Sequence, residues 1–275
     1  LRRRGAAAVL GGGGYVAGPA GLAAVTLGIP LVLTEADSHL GLANRLLAGR
    51  ARRVCLAFPI RGREGGRYVV TGRPVPRAVI EADRDAARRR FGIGSQEACV
   101  TVFGGSLGAR SVNEAALAAF ASGGEGPRVL HVSGRRDYPA LRERLAAAGD
   151  PERYLLLSYE PTLADVLAAG DLVISRAGGS VMEIAAAGRP AILVPYPHAT
   201  ADHQTTNARW MAQGGAAIVI RDEELDAARL RRETDALLAD ADRLRAMAQA
   251  AARLARPDAA ERIADEVLLA AAGGG

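Results

Sequence analysis

ACVTVFGGSLGARSVNEAALAAF, Ala98–Phe120, holds a whole strand–loop–helix unit. Ala98–Phe103 is an apolar run of strand length, continuous rather than alternating, as strands buried on both faces read. Gly104–Arg110 supplies the small residues of a tight turn, and Val112–Phe120 is an Ala-rich helix. The same alternation continues outward in both directions. Downstream strand candidates are Arg128–Val132, Tyr154–Leu157, Asp171–Ser175, Ala191–Pro195 and Ala216–Ile220; upstream ones are Ala7–Leu10, Pro30–Thr34, Arg53–Ala57 and Tyr68–Thr71. Helices are expected at Gly18–Leu27, Ala78–Phe91, Tyr138–Ala148 and Thr162–Ala169. Buried strands alternating with helices make right-handed βαβ connections and a parallel sheet covered on both faces. The fold class is α/β.

Ten such strands do not make one sheet. Arg61–Arg77, rich in Gly, Arg and Pro, separates four strands from six, and the six with their helices form a complete doubly wound unit. The expected division is a partial N-terminal α/β domain over residues 1–72, a C-terminal α/β domain over 73–255, and a helical tail over 256–275 packing back across both. The stretch Leu225–Leu269 reads as helical apart from Pro257.

Composition excludes several classes. With 275 residues, 49% of them hydrophobic, the chain is long and apolar enough to bury a core, which excludes disorder. Two cysteines, Cys55 and Cys99, are too few and too far apart for a disulfide scaffold and point to a reducing compartment. No apolar run approaches the roughly 20 residues of a spanning helix. The net charge of +5 comes from 35 basic residues, every one an Arg. These are interleaved with Asp and Glu on helical faces, and aromatics at 4% leave few stacking platforms, so nucleic acid is not an expected partner. Leu1–Gly5 has neither a methionine nor the apolar stretch of a signal peptide, and reads as a truncated start.

In open parallel sheets ligands bind beyond the carboxyl ends of the strands, where loops lead into helix N-termini. Four glycine- or proline-bearing loops occupy that position: Gly11–Pro19, Gly104–Arg110, Ser175–Ser180 and Pro195–His198. Glycine lets the backbone approach a diphosphate, and N–H groups, helix dipole and Ser hydroxyls stabilise its charge. Glu183, three residues after Ser180, falls one turn on along the same face and could accept both hydroxyls of a ribose. Ser-x-x-Glu is equally the signature of a capping box. His198 and His203 lack the spacing and the third ligand of a metal site. Asp83-Arg84-Asp85 and Asp240-Ala241-Asp242 spell D-x-D but fall in Arg-rich helical patterns rather than after a strand. No P-loop lysine occurs. Neither metal nor cofactor is expected.

Taken together, GGYVAGPAGLAA (Gly13–Ala24), LGIPLVLTEAD (Leu27–Asp37), GLANRLLA (Gly41–Ala48), TGRPV (Thr71–Val75), FGGSLGARSVNEA (Phe103–Ala115), the long run Ser175–Ala208 and RPDAAERIADEVL (Arg256–Leu268) resemble the MurG family. These are bacterial transferases that add N-acetylglucosamine to a lipid-linked muramyl-pentapeptide, and the likeness runs in order along nearly the whole chain. It implies a glycosyltransferase-B fold: two Rossmann-like domains facing a cleft, the N-terminal one on the acceptor side and incomplete, the C-terminal one binding the UDP-sugar. It implies inverting, metal-independent transfer from UDP-N-acetylglucosamine to lipid I, giving lipid II, at the cytoplasmic face of the plasma membrane by a peripheral protein, with other cell-wall synthesis proteins as partners. Carried over, Ser106 would contact the diphosphate; Gly178, Gly179, Ser180, Val181, Met182 and Glu183 the ribose and phosphates; Gln204 the sugar; and the backbone at Glu160 the uracil. Asn113 and Asn207 would line the cleft, and Tyr15 match an acceptor-side position.

Two motifs depart from the family. His-Glu-Gln-Asn reads Thr34-Glu35-Ala36-Asp37, so a sugar-contacting Asn would be Asp37, and Gly-Asn-Pro-Val/Ile-Arg reads Gly72–Pro76, with Arg77 one place late. The resemblance also places a His-ended glycine loop, the proposed general base and an apolar membrane-facing patch before Leu1, in roughly 70 to 90 further residues of a βαβαβ half. Of the groups present, Glu35 and Asp37 are the candidates for the base, and transfer by these residues alone is expected to be absent or much reduced. Rival readings are a non-catalytic UDP-sugar-binding subunit needing a separate acceptor domain, and another UDP-sugar transferase or 2-epimerase of the same fold.

Overall fold

A computed structural model of the chain describes residues 1–105, 109–122 and 126–273. Among them ten strands pair in parallel in two sheets, and the chain divides into two compact units, Leu1–Val75 with Arg256–Gly275, and Pro76–Ala255.

The first unit holds β1 (Val9–Gly11), β2 (Leu31–Glu35), β3 (Arg53–Leu56) and β4 (Tyr68–Val70) side by side in chain order. Successive side chains leave a strand on opposite faces, and here each face has its own cover. Leu31, Leu33, Val54 and Leu56 pack with Leu47, Ala48 and Ala51, while Val32 and Cys55 pack with Ile263 and Ala270 of helix Ala259–Ala272. That double burial is why these strands read as unbroken apolar runs. The helix is tied down by Arg53 Nε, which donates to Glu266 Oε2 at 2.8 Å. Helix Gly14–Thr26 begins four residues before the start that Gly18-Pro19 suggests, and carries Pro19 inside it. Proline there removes the N–H that would donate to the carbonyl four residues back and crowds that carbonyl, a cost the helix carries near its start.

The second unit holds β5 (Cys99–Phe103), β6 (Arg128–Val132), β7 (Tyr154–Leu157), β8 (Leu172–Ser175), β9 (Ala191–Leu193) and β10 (Ala217–Val219) in the order β10-β9-β8-β5-β6-β7. Counted from its own first strand this is the doubly wound order 3-2-1-4-5-6, reversing between β5 and β8. Val100 and Val102 of β5 meet Val112 and Ala116 of helix Arg110–Phe120 in the core. At the opposite end of the strands the fully buried Arg88 donates to the carbonyls of Gly94 and Ala169 at 3.0 Å each.

The single helix expected at Ala78–Phe91 is two, Arg77–Ile80 and Arg84–Arg90. Asp83 stands at the break, its carboxylate accepting from Ala86 N–H at 2.8 Å as an N-cap. The other D-x-D does the same: Asp240 accepts from Arg243 N–H at 2.9 Å and separates helix Ala227–Ala239 from Ala241–Leu254. Among the described residues no helix is long and apolar enough to cross a membrane.

Candidate active site

The reversal between β5 and β8 opens a crevice at their carboxyl ends, the place where doubly wound sheets bind nucleotides. The loop after β5 begins with Gly104, where an added Cβ would stand 2.3 Å from Ala109 Cβ and 2.6 Å from its nitrogen. This glycine exists so that the loop can fold back onto the start of the helix. Ser106, expected to contact the diphosphate, lies outside the described residues.

After β8, the loop Arg176–Ser180 leads into helix Val181–Ala186. The Ser180 side chain makes no capping hydrogen bond, so half of the capping-box reading is absent. Val181 and Met182 are buried, and their N–H groups donate to the carbonyls of Gly178 and Gly179 at 3.2 Å. Side chain and N–H of both are engaged within the protein. Gln204, from the start of helix His203–Gln213, accepts from Tyr196 N–H at 3.0 Å. Its amide nitrogen is thereby turned to the Gly178 loop, 3.8 Å from where a Cβ on Gly178 would be.

Both asparagines expected to line the cleft are wholly buried instead. Asn207 donates to Ala177 O at 3.0 Å and so holds the loop after β8. Asn113 donates to Ser133 O at 2.9 Å and to Asp137 Oδ2 at 3.0 Å. A buried amide is retained where its partners are present, and these two shape their loops. Glu160 is likewise engaged, through Arg90 at 2.8 Å and Thr162 N–H at 2.8 Å, which leaves its backbone rather than its side chain for a base. Arg77 is exposed and pairs with Glu81 at 2.6 Å.

Sequence reading missed Arg176. Its guanidinium donates to Val194 O and Pro195 O at 3.2 Å, to Asp222 at 2.6 Å and to Ser111 Oγ at 2.7 Å, and lies 5.4 Å from the centre of the Tyr196 ring. One buried cation thus joins the loops after β8 and β9 to the first turn of helix Arg110–Phe120. Its signal was local, an Arg directly after a strand end in Ser175-Arg176-Ala177-Gly178, but nothing local named its partners.

In the first unit Tyr15 is fully exposed in the first turn of helix Gly14–Thr26. Glu35 is buried at the end of β2 and accepts from Asp37 N–H at 3.2 Å, Gly41 N–H at 2.8 Å and Asn44 Nδ2 at 2.9 Å. Three donors on one buried carboxylate make it the anchor of the 36–44 loop. Asp37, in that loop, is half-buried.

Comparison with known proteins agrees along the whole length. Residues 99–263 match the glycosyltransferase family 28 C-terminal domain and residues 1–56 its N-terminal domain. The UDP-N-acetylglucosamine–N-acetylmuramyl-(pentapeptide) pyrophosphoryl-undecaprenol N-acetylglucosamine transferase of Moorella thermoacetica is 45% identical over 270 residues, 94% of this chain and 73% of that protein. Its counterpart in Rubrobacter xylanophilus is 42% identical over 98% of this chain and 79% of its own. Among solved structures, MurG of Acinetobacter baumannii superposes with a TM-score of 0.80 at 31% identity, covering 98% of this chain and 75% of that one. A UDP-GlcNAc 2-epimerase from Neisseria meningitidis shares the fold at 13% identity, with a TM-score of 0.63 over 96% of this chain and 76% of that one. The glycine loops, the doubly wound sheet and these likenesses have one reading: the chain belongs to glycosyltransferase family 28, of the glycosyltransferase-B fold, and within it to the MurG family.

Proposed function

We propose that the chain transfers N-acetylglucosamine from UDP-N-acetylglucosamine to the 4-hydroxyl of the muramyl sugar of lipid I, forming lipid II at the cytoplasmic face of the membrane as a peripheral protein. The observation that carries this reading is the identity of 42–45% to transferases so named, spread over the length of the chain rather than confined to one loop. In the reaction the acceptor oxygen forms a bond to the anomeric carbon as the bond to the UDP oxygen breaks. The proton of the hydroxyl goes to a base, and the bonding pair leaves with UDP. Oriented dipoles at the carboxyl ends of β5 and β8 stabilise that departing charge. Glu183 accepts the ribose hydroxyls, Gln204 orients the sugar through its amide, and the backbone at Glu160 takes the uracil. Arg176 holds the three loops in register. On the acceptor side Glu35, at the end of β2, and Asp37, in the loop after it, are the candidate bases among the described residues, and Tyr15 faces the acceptor.

Titration of UDP and UDP-N-acetylglucosamine, followed by assay of UDP release with and without lipid I, tests the reading. Both nucleotides should bind, and such UDP release as these residues alone support, expected to be much reduced, should depend on lipid I. Absence of UDP binding, or conversion of the donor to its 2-epimer, overturns it.

A further inference from the structure

A line of side chains crosses the second sheet beneath its carboxyl edge. His131 on β6 is wholly buried, with Nδ1 2.7 Å from Tyr154 Oη and Nε2 3.0 Å from Asn113 Oδ1. The Asn113 amide nitrogen is committed to Ser133 O and Asp137 Oδ2, so its oxygen must accept. Hence His131 donates from Nε2 and receives the Tyr154 hydroxyl proton at Nδ1. Burial keeps the imidazole neutral, pushing its pKa down to about 3. The direction of every bond follows: Tyr154 to His131, His131 to Asn113, Asn113 to Asp137. The last member is Arg136, whose Nε donates to the other oxygen of Asp137 at 3.0 Å.

That last bond occupies one edge of the guanidinium at Nε, while the side chain as a whole is 60% exposed. Arg136 follows β6, the strand beside β5. Asn113, one turn into helix Arg110–Phe120, reaches Asp137, which sets Arg136 beside the start of the helix that follows the β5 loop. Arg136 also shares a cavity of about 150 Å³ with Arg110, the first residue of the helix that follows the β5 loop. A cation is thus fixed beside the helix that follows the β5 loop, at the exposed end of a chain of buried hydrogen bonds.

We propose that Arg136 binds the diphosphate of the UDP-sugar and stabilises it as it departs, and that Tyr154, His131, Asn113 and Asp137 are the positioning residues that aim it. This rests on the nucleotide-sugar reading above and adds a residue to it. Arginine suits the task because its planar fork keeps several N–H donors for phosphate oxygens after Nε is engaged.

UDP and uridine, the second followed by ligand-observed NMR, are to be titrated into the unaltered chain and into Arg136→Gln. UDP should bind the variant roughly tenfold more weakly, the lower end for a hydrogen bond to a charged group, while uridine binds both alike. Asp137→Asn should weaken UDP in the unaltered background and add nothing in the Arg136→Gln background, since neighbours acting through one group are not additive. Equal UDP affinities, or an equal loss for uridine and UDP, overturn the role of Arg136; additive losses overturn the positioning chain. Failure of the unaltered chain to bind UDP overturns the nucleotide-sugar reading itself, and this proposal with it.

Discussion

Glu183 and His131 are the residues whose chemistry can be separated from their packing. Glu183 sits in the first turn of a six-residue helix whose Ser180 hydroxyl does not cap it. If its carboxylate holds the ribose, Glu183→Ala should weaken UDP binding by roughly 1.5–3 kcal/mol, the range for hydrogen bonds to charged groups. The melting temperature should barely move, because a lost capping contact costs only about 1 kcal/mol; unchanged affinity in calorimetry would return the residue to a local role. His131 carries a pH signature. Its imidazole titrates near 3 in the folded chain against an ordinary 6.5, so between those values the unfolded chain binds more protons. Stability is therefore full above about pH 6.5 and falls as the pH drops toward 3, by at most about 1.4 kcal/mol per unit from this group. His131→Gln should melt lower than the unaltered chain at pH 8, with the gap closing steadily down to pH 4.5. A gap that stays constant in thermal melts across that range would mean that the imidazole does not titrate in this way. Asn113 and Asn207 show why the site was only half legible in the sequence. Their glycine-loop neighbours advertise a phosphate site locally, whereas the partners of these amides lie 18 to 30 residues away in the chain. No local pattern could name those partners.

Strands were legible because both faces of each sheet are covered, which writes burial into consecutive residues. Helix ends were less so. The apolar spacing of Ala78–Phe91 continues across Asp83, and what breaks the helix is one carboxylate accepting a backbone N–H, a preference that competes with the periodic signal and wins. Gly72, just after β4, presents another end fixed by close approach. Its φ is +88°, and a Cβ there would stand 2.4 Å from Arg256 Cβ, 2.9 Å from Arg256 Cγ and 3.3 Å from Ala259 Cβ. Gly72→Ala must move the chain that launches helix Ala259–Ala272 off the sheet. Overpacking of this kind costs about 1–3 kcal/mol, and the left-handed backbone adds to it. The variant should unfold at lower urea concentration in a probe of the first unit while its UDP affinity stays within twofold. A loss of UDP affinity matching the loss of stability would contradict the placement of the nucleotide loops on the second unit.

Each unit of the molecule has its own sheet and its own core, and each core contains one free thiol: Cys55 on β3 in the first, Cys99 on β5 in the second. Both are sealed from solvent, and burial pushes their pKa values up to about 11 and about 12. The thiolate is the reactive form, so a native thiol is protected twice, by lack of access and by lack of charge. Modification by a disulfide reagent then requires the surrounding unit to open, and its rate reports the free energy of that opening. The chain has been given two built-in clocks, one per unit. In low concentrations of urea Cys55 and Cys99 should be modified at different rates, each following the opening of its own sheet, with Gly72→Ala accelerating Cys55 alone. Peptide mass spectrometry that found both thiols modified in step at every urea concentration would show that the two halves of the chain unfold as one.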